Sequence, residues 1–425
     1  MLRLKSYDRV AERLKHVALE LKNLVVAETW DSLQGQDVGD FTVYSGVLGT
    51  ALLLHKSYQV TKSRDASVSV LRLLRLVTVL LLVPEDFVGK VLPFYCISHF
   101  ATLVLVDGFC FAVSFICGRA GVCALGAVVA SLLNDIELMD SYLDKFVQIE
   151  PPEDLCDGLL HGRAGYLWAC VFMDAHFCRE TISRKILVSV EYFLSCLVSL
   201  FTKATNGQAP VVDKIFSNGR KLGRKGRSPL IFKWKNKTYW GAAHGSAGIM
   251  YVLMHFNLQK DQRKEVKETL LYLIENQFPS GNYPSCEDDS DALVHWCHGA
   301  PGIAVTLAKA AETFGDKVFE KAAMDAMKVV WQRGLVKNVG MCHGISGNTY
   351  VFCALQRLTG CPRIRFMAKS FTCFLLDRGQ KLVSEGKVRG GDHPYSLFEG
   401  LGGLAYLFLD MMEPSNARFP AFEAI

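Results

Sequence analysis

Cys297, Cys342 and His343 are the residues whose types and spacing point most directly to chemistry. They lie in two stretches, HWCHGAPG at 295–302 and MCHGISGN at 341–348. Each is Cys-His-Gly with a second glycine three residues after the first. A catalytic zinc takes three protein ligands and keeps a fourth position open. Two cysteines in equivalent positions, with a histidine beside the second, can supply that set. Two thiolates cancel the charge of Zn²⁺, so an incoming thiol loses its proton there and stays nucleophilic near neutral pH. The competing reading is a pair of buried cysteines packed as small apolar residues.

The glycine pair recurs along the chain. Its first members are Gly46, Gly118, Gly162, Gly245, Gly299, Gly344 and Gly400, which makes seven units. The residue before each is Ser45, Cys117, His161, His244, His298, His343 and Glu399, so four of the eleven histidines share one register. Cys297 and Cys342 sit two residues before their glycines, in adjacent units. Packing alone does not explain His and Cys held in one register. His244 is a candidate general acid or base in this ring, against the plainer reading of a hydrogen-bonded core histidine. His298 and His161 are weaker candidates of the same kind. Lys337 could receive a substrate carboxylate, and Arg163 is a further candidate for substrate binding.

Elements must bring these positions together. After each glycine pair comes a run of about eight mostly apolar residues, read as a helix buried on all sides. Longer amphipathic stretches lie between, such as 183–201 and 260–278, read as outer helices with one wet face. No strand alternation of comparable length competes. Buried and half-wet helices alternating seven times predict an all-α fold, an α/α toroid of inner and outer helices. If every inner helix starts at one end, the register residues ring one cavity, and the helix N-termini there would favour anions.

Composition sets the bounds. Half of the 425 residues are hydrophobic, and net charge is +5 from 47 basic and 42 acidic residues. That balance argues for no nucleic-acid partner. Fourteen cysteines are too few for a disulfide scaffold. The N-terminus reads as an amphipathic helix rather than a secretory signal, so reduced thiols and a cytoplasmic location are expected. The stretch 91–117 has no Lys or Arg and is long enough to span a membrane, but His99, Asp107, Gly108 and Pro93 argue against a span. Residues 214–237 hold nine basic residues and no acidic one. They read as part of a basic loop, 203–237, that could draw phosphorylated or acidic peptides, or serve as a nuclear signal.

These stretches resemble the LanC-like family, eukaryotic relatives of the bacterial lanthionine synthetase cyclases. YWGAAHGSAGIMYVLM, HWCHGAPGIA, MCHGISGN and PYSLFEGLGGLAYLFLD are similar to family signatures in their order. FICGRAGVCALGAV and HGRAGYLWAC add two more. The wording is most similar to the plant branch once labelled G-protein-coupled-receptor-like. The resemblance covers roughly 1–67 and 114–425, and implies a single seven-fold double α-barrel over 1–425. It also implies one central zinc on Cys297, Cys342 and His343, and an acid/base role for His244. Bacterial members add a cysteine thiol to dehydroalanine or dehydrobutyrine. Eukaryotic members are similar but bind glutathione, and are thought to add it to dehydroamino acids left when phosphoserine or phosphothreonine loses phosphate. A basic residue five before the second zinc cysteine is associated with glutathione, which implies Lys337.

The chain also departs from the pattern. Gly158 stands where the cyclases have an acidic residue, with Asp157 adjacent. His161 stands where most relatives have Tyr. Residues 68–113 form an apolar insert that relatives lack. The resemblance therefore implies a zinc-dependent enzyme that adds glutathione to dehydroamino acids in peptides. A non-catalytic zinc- and glutathione-binding scaffold is the alternative, and a peripheral membrane or signalling partner is compatible with either. A prenyltransferase β subunit would need an Asp-Cys-His zinc set that the chain does not display. A multi-span receptor would need apolar runs of about twenty residues, twice the length of these.

Overall fold

A computed structural model describes residues 2–33, 40–62, 113–184, 208–223, 228–287, 289–386 and 392–424. Residues 68–112 of the apolar insert, 91–112 of the candidate span and 185–201 of one expected outer helix lie outside the described residues. No helix among the described residues is long and apolar enough to cross a membrane.

Each glycine pair opens a helix. The inner helices are α2 (Val47–Thr61), α3 (Arg119–Leu132), α5 (Arg163–Arg184), α7 (Ser246–Leu253), α9 (Ala300–Phe314), α11 (Ile345–Thr359) and α13 (Leu401–Asp410). Every one starts at the residue after the first glycine. Burial on all sides holds where it was expected: all eight residues of α7 are buried, as is every residue of α11 from Ile345 to Gln356. Such a helix cannot stand alone, and each packs on the next: α2 on α3, then α5, α7, α9, α11, α13 and back to α2. The ring closes.

The outer helices show the one-sided pattern instead. They include α1 (Leu2–Thr29), α4 (Ile136–Val147), α8 (Lys260–Glu275), α10 (Lys317–Arg333) and α12 (Pro362–Phe374). In α8 the buried residues are Gln262, Val266, Thr269, Leu270 and Leu273, a single stripe at helical spacing. α4 packs on α3, α8 on α7, α10 on α9 and α12 on α11, while α1 packs on α13 and α2. No strand occurs among the described residues, only isolated bridges such as Trp234 with Lys237.

Residues 208–223, read from sequence as part of a basic loop, form a helix, α6. Val211, Val212, Ile215 and Phe216 are buried along one side of it. The charge density of the segment hides that stripe, because the basic residues occupy the wet face.

Close backbone approach explains the glycines. A Cβ on Gly347 would lie 1.8 Å from the Met341 carbonyl oxygen, and one on Gly344 would lie 2.3 Å from that of Gly340. At α11 and α7 the loop before the helix curls over its first turn and spends the helix's own donors. Ile345, Ser346 and Gly347 donate to the carbonyls of Asn338, Val339 and Gly340 at 2.9, 3.4 and 3.3 Å. Ser246 and Ala247 do the same with Tyr239 and Trp240 at 3.1 and 3.0 Å. At α7 and α11, therefore, the first N–H groups that would attract an anion are already bonded.

The C-terminal segment closes the ring from within. Phe419 contacts Trp296, Tyr350 and Phe398, and Phe422 contacts Tyr251 and Trp296, so the segment touches four units at once. Arg357 and Glu423 pair to pin it.

Candidate active site

Five of the seven junctions between the loops before the inner helices carry a backbone hydrogen bond at one register, two residues before the first glycine, and together they form a girdle. Cys297 N–H donates to Cys342 C=O at 3.3 Å, Cys342 to Phe398 at 2.8 Å, and Phe398 to Tyr44 at 3.1 Å. Tyr44 donates to Ile116 at 3.3 Å, and Leu160 to Ala243 at 2.9 Å. Adjacent units thus place equivalent residues side by side, and for units five and six those residues are both cysteine.

The result is a compact donor set. The Sγ atoms of Cys297 and Cys342 and a ring nitrogen of His343 all lie within 4.8 Å of one another. Ligands around one tetrahedral zinc, at about 2.3 Å for sulfur and 2.0–2.1 Å for nitrogen, need separations somewhat under 4 Å, which small side-chain adjustments reach. Both thiols are buried. Burial, and then Cys297 beside it, pushes the Cys342 thiol well above the usual range, while His343 acts the other way. The hydrogen bond to Cys342 raises His343 above the usual imidazole range. Two buried thiols and an imidazole nitrogen gathered this closely are a donor set suited to a divalent cation.

Next to this cluster runs an arc of rings. His295 lies 5.8 Å from His343, and His298 lies 5.6 Å from Tyr239 and 6.3 Å from His244. His161 is 5.3 Å from His244 on the other side. The His244 ring stacks on Trp234 at 3.9 Å with an interplanar angle of 3°. Burial, then His161, His298 and Lys235, hold His244 well below the usual imidazole range. It is therefore neutral at neutral pH. Burial and His295 also lower His298, whose Nδ1 is buried without a hydrogen-bond partner among the described residues.

The remaining candidates separate. Lys337 is exposed on the loop leading into α11. Arg163 is 2% exposed and both of its terminal guanidinium nitrogens are engaged. It donates to the carbonyls of Leu155, Pro152 and Glu153 and pairs with Asp157 at 3.1 Å. Its position is that of a clamp on the loop 152–157. Asn218 of α6 donates to both oxygens of Asp157, at 3.2 and 3.1 Å. The acidic residue beside Gly158 is thus already bound. It lines, with His161 and Trp234, a cavity of about 400 Å³.

Two residues at the site went unnoticed in the sequence. Tyr44 bonds the Cys342 thiol, and burial together with both cysteines raises its phenol well above the usual range. Its signal was available, since it holds in unit one the register of Cys297 and Cys342. Trp234 carries no such signal, because it lies outside the repeat.

Comparison with known proteins agrees with this architecture. Residues 37–424 match the family described as Lanthionine synthetase C-like protein. The chain is 35% identical to LanC-like protein GCL1 of Arabidopsis thaliana, over 97% of this chain and 89% of that protein. It is also 35% identical to a Danio rerio protein named Glutathione S-transferase LANCL1, over 73% of this chain and 74% of that one. Among solved structures it resembles nisin cyclase, with a TM-score of 0.62 at 15% identity, covering 95% of both chains; that likeness concerns the fold alone.

Proposed function

The chain belongs to the lanthionine synthetase C-like family, and on that premise we propose that it adds glutathione to dehydroamino acids in peptides or proteins. The observation that carries the reading is the Cys297–Cys342–His343 cluster on the same rim as a neutral, buried His244. One zinc would be held by Cys297, Cys342 and His343. When bound, it supplies the positive charge that keeps an arriving thiol ionised at neutral pH. The name of the zebrafish relative, a glutathione S-transferase, supports glutathione as the thiol.

The protein's own groups then account for the proton. Neutral His244 takes the proton released by the thiol. The thiolate attacks the β-carbon of the alkene, a carbon–sulfur bond forms, and the π electrons move to give an enolate. The imidazolium of His244, a strong acid in its buried site, returns the proton to the α-carbon. No proton is gained or lost overall.

The test is mass spectrometry of a dehydroalanine peptide incubated with glutathione and the protein. An adduct formed well above the uncatalysed rate is expected, and His244→Gln should lose about 10²–10⁴-fold while retaining zinc. No adduct above background, with zinc and glutathione still bound, would replace this reading with the non-catalytic scaffold.

A further inference from the structure

We propose that Trp234 is a positioning residue for His244, fixing the plane of its ring and keeping water from its face; this rests on the acid/base role given to His244 above. The two rings stack nearly parallel, 3.9 Å between centroids and 3° between planes. A face-to-face stack fixes the ring plane and leaves both nitrogens free at the edge, where a proton must move.

The backbone holding Trp234 is built for this. Trp234 and Lys237 exchange two backbone hydrogen bonds of 3.0 Å around a two-residue turn. Lys235 and Asn236 make the turn with φ of 47° and 63°, the left-handed pair that a tight hairpin requires. Both arms are tied down. Ile231 N–H donates to Gly219 C=O on α6 at 3.2 Å, and Trp240 N–H to Ser285 C=O at 3.1 Å. A Cβ on Gly219 would lie 2.8 Å from the Phe232 ring, so the bare glycine lets that arm seat against α6. The hairpin is thus a braced strap with one aromatic ring aimed at His244.

The same indole is a wall of the 400 Å³ cavity, together with His161, Asp157 and Lys233. Removing it would open the His244 face toward that space. The groups that face His244 are His161 from the loop before α5, His298 from the loop before α9, Tyr239, and Lys235 on the hairpin. The histidines and the lysine oppose its protonation. The ring stack adds the exclusion of water to that electrostatic bias.

The experiment uses the full-length, zinc-loaded protein with ¹⁵N-labelled histidines, comparing wild type with Trp234→Ala and Trp234→Phe. The alanine variant is expected to lose about tenfold in kcat for thiol addition, as a loosened proton donor should. Its KM for glutathione and for the acceptor peptide should change less than twofold, and zinc should stay at one per chain. Its His244 imidazole should titrate at a higher pH than in wild type, while the phenylalanine variant retains most of kcat and the wild-type titration. If the alanine variant does not fold, Trp234→Leu, which fills space without a ring plane, takes its place. An unchanged kcat and titration would overturn the proposal. So would a loss confined to KM for the acceptor, which would make Trp234 a binding wall. If wild type shows no thiol addition, the catalytic reading fails, and the titration alone still decides whether Trp234 controls His244.

Discussion

Removing the Cys342 thiol is the sharpest perturbation of the site, because its cost can be worked out before it is measured. The donor set is three atoms lying within 4.8 Å of each other, and Cys342→Ala leaves Cys297 and His343. Structural zinc sites with four ligands are worth about 10–16 kcal/mol at neutral pH, or about 3 kcal/mol per ligand. Loss of one ligand should weaken zinc binding by roughly a hundredfold or more. Zinc per chain, measured by mass spectrometry after dialysis against a chelator, should fall from one to near zero. Cobalt gives a second reading, since its sulfur charge-transfer band scales with the number of thiolates. That band should drop by about half in any cobalt-loaded variant. Cys353→Ala is the control: that thiol is 1% exposed and contacts the Met411 sulfur at 3.7 Å, away from the donor set. It should keep its zinc. Full zinc in both Cys342→Ala and Cys297→Ala would refute the assignment, whatever the activity of either protein.

Gly347→Ala should cost more than about 3 kcal/mol in urea unfolding, because its Cβ would meet a carbonyl oxygen at 1.8 Å. Gly315→Ala, with nothing within 4 Å and only a left-handed φ of 65° to strain, should cost about 1 kcal/mol. Equal costs would reject the close-approach account of the repeat. Arg163→Met should destabilise by about 3–5 kcal/mol, through an Asp157 left with Asn218 but no counter-charge and three carbonyls that lose their donor, without raising KM for glutathione. A raised KM at unchanged stability would instead return Arg163 to substrate binding. Burial pushes His55 and His255 down to about 3 from 6.5. The unfolded chain therefore binds more protons between those values, so stability is full above pH 6.5 and declines as pH falls toward 3. Urea midpoints should fall across that window, and less steeply in His55→Leu; a flat profile would contradict the burial of these rings.

Much of the ring was legible because it repeats. A glycine pair followed by an all-apolar run states locally that a helix begins and that every side of it is covered. Seven such statements imply mutual burial, and the family resemblance pointed to the same toroid. What stayed hidden depends on contacts between distant segments. The stripe of α6 was masked by lysines and arginines on its wet face. Trp234 sits among lysines in FKWKNKTYW, a composition that reads as solvated loop, and only the fold sets its ring on His244. Arg163 read as an available cation, because a sequence does not reveal that three carbonyls and a carboxylate have already taken its donors.

The girdle of backbone hydrogen bonds explains why neighbouring positions in one motif have different roles. Residues two before the glycine are joined unit to unit through their own peptides, so their side chains start close together. Cysteines at that register in adjacent units therefore form a pair, while Tyr44 of unit one, joined in the girdle to Phe398 and Ile116, reaches the Cys342 thiol past the intervening unit through its long side chain. Residues one before the glycine follow the girdle without being joined by it. His161, His244 and His298 are spread along the rim at 5.3 and 6.3 Å between ring centres. Only His343 joins the donor set; His298, which also follows a cysteine, lies instead in the arc beside Tyr239 and His244. On the proposed function, a donor set made at one register and a histidine arc made at the next would separate metal binding from acid/base work within a single repeated motif. Moving a cysteine one position, from Cys342 to the place of His343, should therefore break the pair even though composition and local sequence barely change.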